Sequence, residues 1–162
     1  MLIPGLAQRR LPSSALLLFA PFLLSACDAL MGKEVARLPV NALSAPGRDV
    51  VRATTVQLQQ GDKVALWSEM DVGYQGEAQL EFQVQLLQNG QPVQRLAFDP
   101  REKDISLKEV KTSVNGDVNW SFTGRNASFV VPATGAYTLK ARLVAIPHAT
   151  VQLRKAELVL RR

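Results

Sequence analysis

From Val50 onward, apolar and polar residues alternate one by one along most of the chain. That is the period of a strand with one face in a core and the other in water. The clearest run is Gln79-Leu80-Glu81-Phe82-Gln83-Val84-Gln85-Leu86, where every second residue is apolar. The same alternation places strands at Thr55 to Leu58, Val64 to Trp67, Gln91 to Phe98, Ile105 to Val114, Val118 to Phe122, Ser128 to Val131, Tyr137 to Leu143 and Val151 to Leu160. Turn residues separate these runs. Asn89-Gly90 and Asn115-Gly116 suit two-residue type I′ hairpins, because both residue types tolerate the positive φ such a turn requires. Gly61-Asp62, Gly124, Ala133-Thr134-Gly135 and Pro147-His148 read as further breaks. Pro92 lacks an amide hydrogen, which puts its strand on a sheet edge or leaves that position unpaired. About nine strands at this spacing, with no helical period among them, predict an all-β fold. The expected architecture is an antiparallel β-sandwich, immunoglobulin-like or jelly-roll-like, with a closed barrel as the alternative. Gly135-Ala136-Tyr137-Thr138-Leu139 resembles the Gly-x-Tyr-x-Leu entry into a late strand of many such domains, in which the tyrosine packs at a corner between the sheets. That match supports architecture and not family.

The first 26 residues follow a different pattern. Arg9 and Arg10 precede an apolar run from Ala15 to Ala26, the layout of a secretory signal peptide. The run is shorter than the roughly 20 residues a spanning helix needs and contains Pro21. It ends in Leu24-Ser25-Ala26-Cys27, which resembles the lipobox of bacterial lipoproteins, cut by lipoprotein signal peptidase. The resemblance implies that Cys27 becomes the first residue of the mature chain, its sulfur carrying a diacylglyceryl group and its amine an acyl chain such as palmitate. Two or more acyl chains make a stable anchor, since each buried methylene contributes roughly 0.8 kcal/mol. Asp28 resembles the sorting residue that retains lipoproteins in the inner membrane of enteric bacteria, which favours the inner over the outer membrane. The expected location is therefore the cell envelope, facing the periplasm. Residues 28 to 48 carry Gly32, Pro39, Pro46 and Gly47 and read as a tether, with Ala36 to Val40 as a candidate edge strand. The domain plan is thus a signal peptide over 1–26, a lipidated cysteine and tether over 27–48, and a sandwich over 49–162.

Composition narrows the function classes. The chain has 19 basic and 14 acidic side chains; losing Arg9 and Arg10 with the leader lowers the net charge to about +3, with the basic residues scattered. No stripe or recognition helix supports nucleic-acid binding. Cys27 is the single cysteine and His148 the single histidine, which excludes a disulfide and any zinc site or triad that needs several of them. No cofactor or metal is expected and no catalytic constellation is visible. Asp62, Asp71, Asp99, Asp104 and Asp117 fall at expected loops, where a pair could act as acid and base or hold calcium; aspartate also simply favours turns. Asn126-Ala127-Ser128 fits a glycosylation sequon but reads as a turn.

Aromatic residues offer the remaining chemistry. Trp120 shares its parity with Val118 and Phe122 and is expected inside. Trp67 is opposite in parity to Val64 and Leu66, and Tyr74 lies in the expected loop Asp71 to Gly76. Trp67 and Tyr74 are therefore the candidate ligand-binding residues, as stacking faces for sugar rings. The leading expectation is a lipid-anchored, non-catalytic envelope protein that binds another envelope protein through a sheet edge or loop cluster. A glycan or small-ligand module is the alternative, and a periplasmic inhibitor or immunity lipoprotein is the third.

Overall fold

The computed structural model describes residues 31–145 and 150–162. Cys27, Asp28 and His148, and the expected break at Pro147-His148, lie outside them. The described chain is an all-β sandwich of two sheets. Its strands are β1 (Glu34–Pro39), β2 (Leu43–Ser44), β3 (Arg52–Leu58), β4 (Lys63–Gln75), β5 (Leu80–Gln88), β6 (Gln91–Phe98), β7 (Ile105–Val114), β8 (Asp117–Val130), β9 (Gly135–Ala145) and β10 (Thr150–Arg161). The first sheet runs β1-β10-β4-β8-β7, and the second runs β2-β9-β5-β6 with β3 also on β9. All pairs are antiparallel except β2 with β9.

The core follows the alternation. Val64, Leu66, Met70, Val72 and Tyr74 from β4 face Leu80, Phe82, Val84 and Leu86 from β5, with Tyr137, Leu139 and Leu143 from β9 and Leu158 and Leu160 from β10 beside them, all buried. A one-residue slip would turn each of these rows to water, so burial itself fixes the register. Both Asn-Gly turns have positive φ at both residues, Asn89 at 52° and Gly90 at 79°, Asn115 at 51° and Gly116 at 86°, as type I′ geometry requires. The Tyr137 hydroxyl donates to the Ala133 carbonyl at 2.6 Å from a fully buried ring. This is the corner contact that the Gly-x-Tyr-x-Leu resemblance implies.

Ten strands replace the expected nine: two expected strands merge into β8, while β1 and β2 form within the segment read as a tether. Gly124 is not a turn: it lies inside β8, which joins the segments expected separately at 118–122 and 128–131. The Lys103 side chain crosses directly over Gly124, where a Cβ would collide with it. Asp71 to Gly76 is not a loop either, because β4 continues through Tyr74 to Gln75, paired with β10 on one side and β8 on the other. Finally, the tether expected up to residue 48 is shorter than its composition suggests. Glu34–Pro39 joins β10 as an edge strand, with Leu38 and Val40 buried, and Lys33 and Arg162 exchange backbone hydrogen bonds of 2.8 and 2.9 Å.

Candidate interaction surfaces

The two aromatic candidates are not surface residues. Trp67 is 2 % exposed and Tyr74 is 9 % exposed, so neither offers a ring face for a sugar to stack on. Parity places Trp67 correctly on the outer face of β4, opposite to Leu66. It stands there in a cross-strand row, Arg37–Val159–Trp67–Arg125, in the centre of a five-stranded sheet. Its indole N–H has no hydrogen-bond partner among the described residues. Tyr74 lies on the inner face and belongs to the core cluster. Trp120 is inward-facing, as its parity requires, but only half-buried. Its ring is flanked by the Lys103 ammonium at 4.9 Å and the Lys111 ammonium at 4.2 Å from the centroid, and its N–H donates to Glu109 at 2.8 Å. Two cations on an indole are favourable contacts, and they occupy the ring that a sugar would need.

Four of the five aspartates are engaged one by one rather than with each other. Asp71 is a strand residue that pairs with Arg154 at 2.7 Å. Asp99 holds Arg101, Asp104 holds Arg125 at 2.7 Å, and Asp62 holds Arg162 at 3.1 Å. The Gln59 amide, and then the Arg162 guanidinium, hold Asp62 below its ordinary pKa; the Arg125 guanidinium does the same for Asp104. Asp117 opens β8 beside the Asn115-Gly116 turn. No group of three acidic, histidine or cysteine side chains among the described residues is placed to hold a metal ion. Asn126 is not in a turn. It is the extra residue of a β8 bulge, since Arg125 pairs with Trp67 and Ala127 with Leu66. Its side chain meets the buried Ser68 hydroxyl at 2.7 Å and donates to the carbonyls of Pro100 and Glu102 at 3.1 and 2.8 Å. The bulge thereby ties the β6–β7 connection to the sandwich.

What remains open is backbone. Five strands lie at the ends of the two sheets, β2 and β3 sharing one end, and they are finished differently. β1 is six residues long and ends in Pro39. β6 carries Pro92 and a register shift beside it, at Leu86/Leu87 of its partner. β2 has two residues and β3 lies against β1 of the opposite sheet. β7 is ten residues long and contains no proline, and from Lys108 to Val114 every residue is exposed. A bulge between Leu107 and Val110 interrupts its pairing with β8, with Lys108 at φ 52°. Beyond the bulge, Val110–Val114 is regular again. Val110 is 63 % and Val114 66 % exposed, on the same face as Thr112. The loop side of the bulge is braced by Glu109, whose carboxylate is held below its ordinary pKa first by the Ser106 hydroxyl and then by Lys103 and the Trp120 N–H. Nothing in the sequence singled out this edge over the others, although Val110, Thr112 and Val114 spell a β-branched stripe with no proline near it.

Compared with known proteins, the chain matches no family model and no curated sequence. Its function therefore has to be argued from its own surfaces.

Proposed function

We propose that this protein is a lipid-anchored, non-catalytic component of the bacterial cell envelope that binds another envelope protein by accepting a strand on the free edge of β7. The anchor rests on Leu24-Ser25-Ala26-Cys27 and on Asp28, which puts the domain on the periplasmic side, the inner membrane favoured. The single observation that carries the binding mode is the exposed, proline-free run Val110–Val114 at the end of a five-stranded sheet. An edge strand leaves alternate N–H and C=O groups without protein partners, and an added strand satisfies them while side chains set specificity. Lys108 stands just before that run and Lys111 lies within it, so a partner strand bearing carboxylates matches it best. The lysines and the bulge also discourage pairing with an arbitrary strand.

The test is a photo-activated cross-linker placed at Thr112 and, as a control, at Gln94 on the proline-bearing β6 edge, in the full chain in its native membranes. A discrete protein adduct from Thr112, absent from Gln94 and lost in a Val110→Asp/Val114→Asp variant, is the expected result. Adducts of equal yield from both edges, or none from Thr112, would overturn the β7 assignment. Undiminished incorporation of labelled palmitate after Cys27→Ser substitution would overturn the anchor independently.

A further inference from the structure

The outer face of the second sheet contains a shallow trough of about 480 Å³. Its lining includes Arg95 from β6, Gln83 and Gln85 from β5, and Lys140 and Arg142 from β9, without a single carboxylate. The register explains how it forms. Gln85 pairs directly with Arg95 on one side and with Lys140 on the other, so these three side chains form one cross-strand row. In the next row, Arg142 and Gln83 pair with each other and Gln83 pairs with Ala97. The methyl group of Ala97 leaves the floor low beside Arg95.

The two rows are in different states. Arg142 is already committed: it donates to Gln83 at 2.8 Å and to Asp49 at 2.6 Å. Arg95 and Lys140 have no ion-pair partner among the described residues. Neighbouring strands lie about 4.8 Å apart, so the two cations rise from backbone positions about 10 Å apart with an amide between them. Both side chains are exposed on this face and each is long enough to reach toward the middle of that span. A guanidinium, an amide and an ammonium side by side in one row carry enough N–H donors to serve the oxygens of a tetrahedral oxyanion. The guanidinium gives the forked geometry, and the ammonium acts as a point charge.

We infer that this trough is a binding site for a phosphate group, held between Arg95 and Lys140 over Gln85. The site lies on the second sheet, away from the β7 edge, and does not depend on a protein partner there. The phosphate belongs either to a soluble phosphate-bearing ligand or to an anionic lipid headgroup of the membrane, because both present the same oxygens to these donors.

Protection of the Lys140 amine from acetylation tests the inference, read by mass spectrometry on the full chain reconstituted in phosphatidylcholine vesicles. Lys63, exposed at the start of β4, is the internal reference. Adding inorganic phosphate at constant ionic strength is one arm, and replacing about a third of the lipid by phosphatidylglycerol is the other. The expected result is a drop of about threefold or more in the Lys140/Lys63 rate ratio in at least one arm, with Arg95→Ala or Gln85→Ala returning it to within about 1.5-fold of the unprotected value. Protection by free phosphate identifies a soluble ligand; protection only by the anionic vesicles identifies the headgroup. An unchanged ratio in both arms, or protection that survives Arg95→Ala, would overturn the site. Both substitutions are at surface positions outside the core, so loss of folding does not confuse the outcome.

Discussion

The outer faces of the two sheets solve the same problem in opposite ways. On the first sheet, charges answer each other. Arg37 of β1 meets Glu34 at 2.8 Å, Glu69 of β4 at 3.0 Å and Glu157 of β10 at 2.6 Å, while Lys155 reaches Glu69 at 2.7 Å. One guanidinium thus links three adjacent strands. The network holds Glu69 at about 2, chiefly through the Arg37 hydrogen bond and secondarily through Lys155, against the opposing effect of burial; Glu34 is lowered by Arg37, and Arg37 itself is raised. On the second sheet, the same alternation of strands puts Arg95 and Lys140 outside with no acid between them. A face whose charges are mutually satisfied serves cohesion, and a face whose charges are left over has capacity for something else.

The sharpest way to break this contrast is to remove the hub. Arg37→Ala leaves Glu34, Glu69 and Glu157 facing one another and removes the side-chain link from β1 to β10 and β4, and we expect a loss of about 2 kcal/mol in urea unfolding at neutral pH. The pH dependence should be next in size. Because the folded pKa of Glu69 is depressed from 4.5 to about 2, its contribution is complete above about 4.5 and disappears as the pH falls toward 2. Partial exposure reduces the effect to about 1–2 kcal/mol. Unfolding midpoints measured between pH 5 and 2 should show this slope in the parent chain and a much flatter one in Glu69→Gln; equal slopes would show that the network does not stabilise the fold. At the small end, Arg95→Ala and Lys140→Ala should each change stability by less than about 0.5 kcal/mol. A loss as large as that of Arg37→Ala would mean that the second sheet's cations are structural after all.

Inside the sandwich, the Asn126 bulge gives a comparison of a different kind. Its amide bonds three groups from two segments, β4 and the β6–β7 connection, whereas the Tyr137 hydroxyl bonds one carbonyl four residues away. Asn126→Ala leaves Ser68 buried without a partner and frees two carbonyls, costing about 1–3 kcal/mol; Tyr137→Phe should cost about 1 kcal/mol. Thermal unfolding of both variants would rank them.

Alternation was enough to read most strands. From Gln79 to Leu86 each residue's face is a local property, and the Asn-Gly turns carry their own φ requirement. The inward set on β4 was also present in full, at Val64, Leu66, Met70, Val72 and Tyr74, but Gly73 and Gly76 suggested a loop where a partner on each side extends the strand. Gly124 misled for a related reason. The glycine is there because Lys103 crosses it, not because the chain turns, and Lys103 comes from a loop that no local signal places nearby.

Exposure was the quantity the pattern could not supply. Parity put Trp67 on the outer face of its strand, which is where it is, yet its cross-strand neighbours leave it 2 % exposed. The free edge of β7 and the phosphate trough are likewise products of strand order, since each depends on which strand lies beside which.

By itself the sequence determined the fold class, which residues of most strands face inward, the hairpin turns and the tyrosine corner, because these depend on residues within about four positions of one another along the chain. Only the tertiary structure decided that Glu34–Pro39 completes a sheet, that Trp67 and Tyr74 are covered, and that Arg95 and Lys140 share a row while Arg37 gathers three acids. Those outcomes depend on contacts between residues up to 127 positions apart, where the identity of a neighbour is set by sheet order and not by the local pattern.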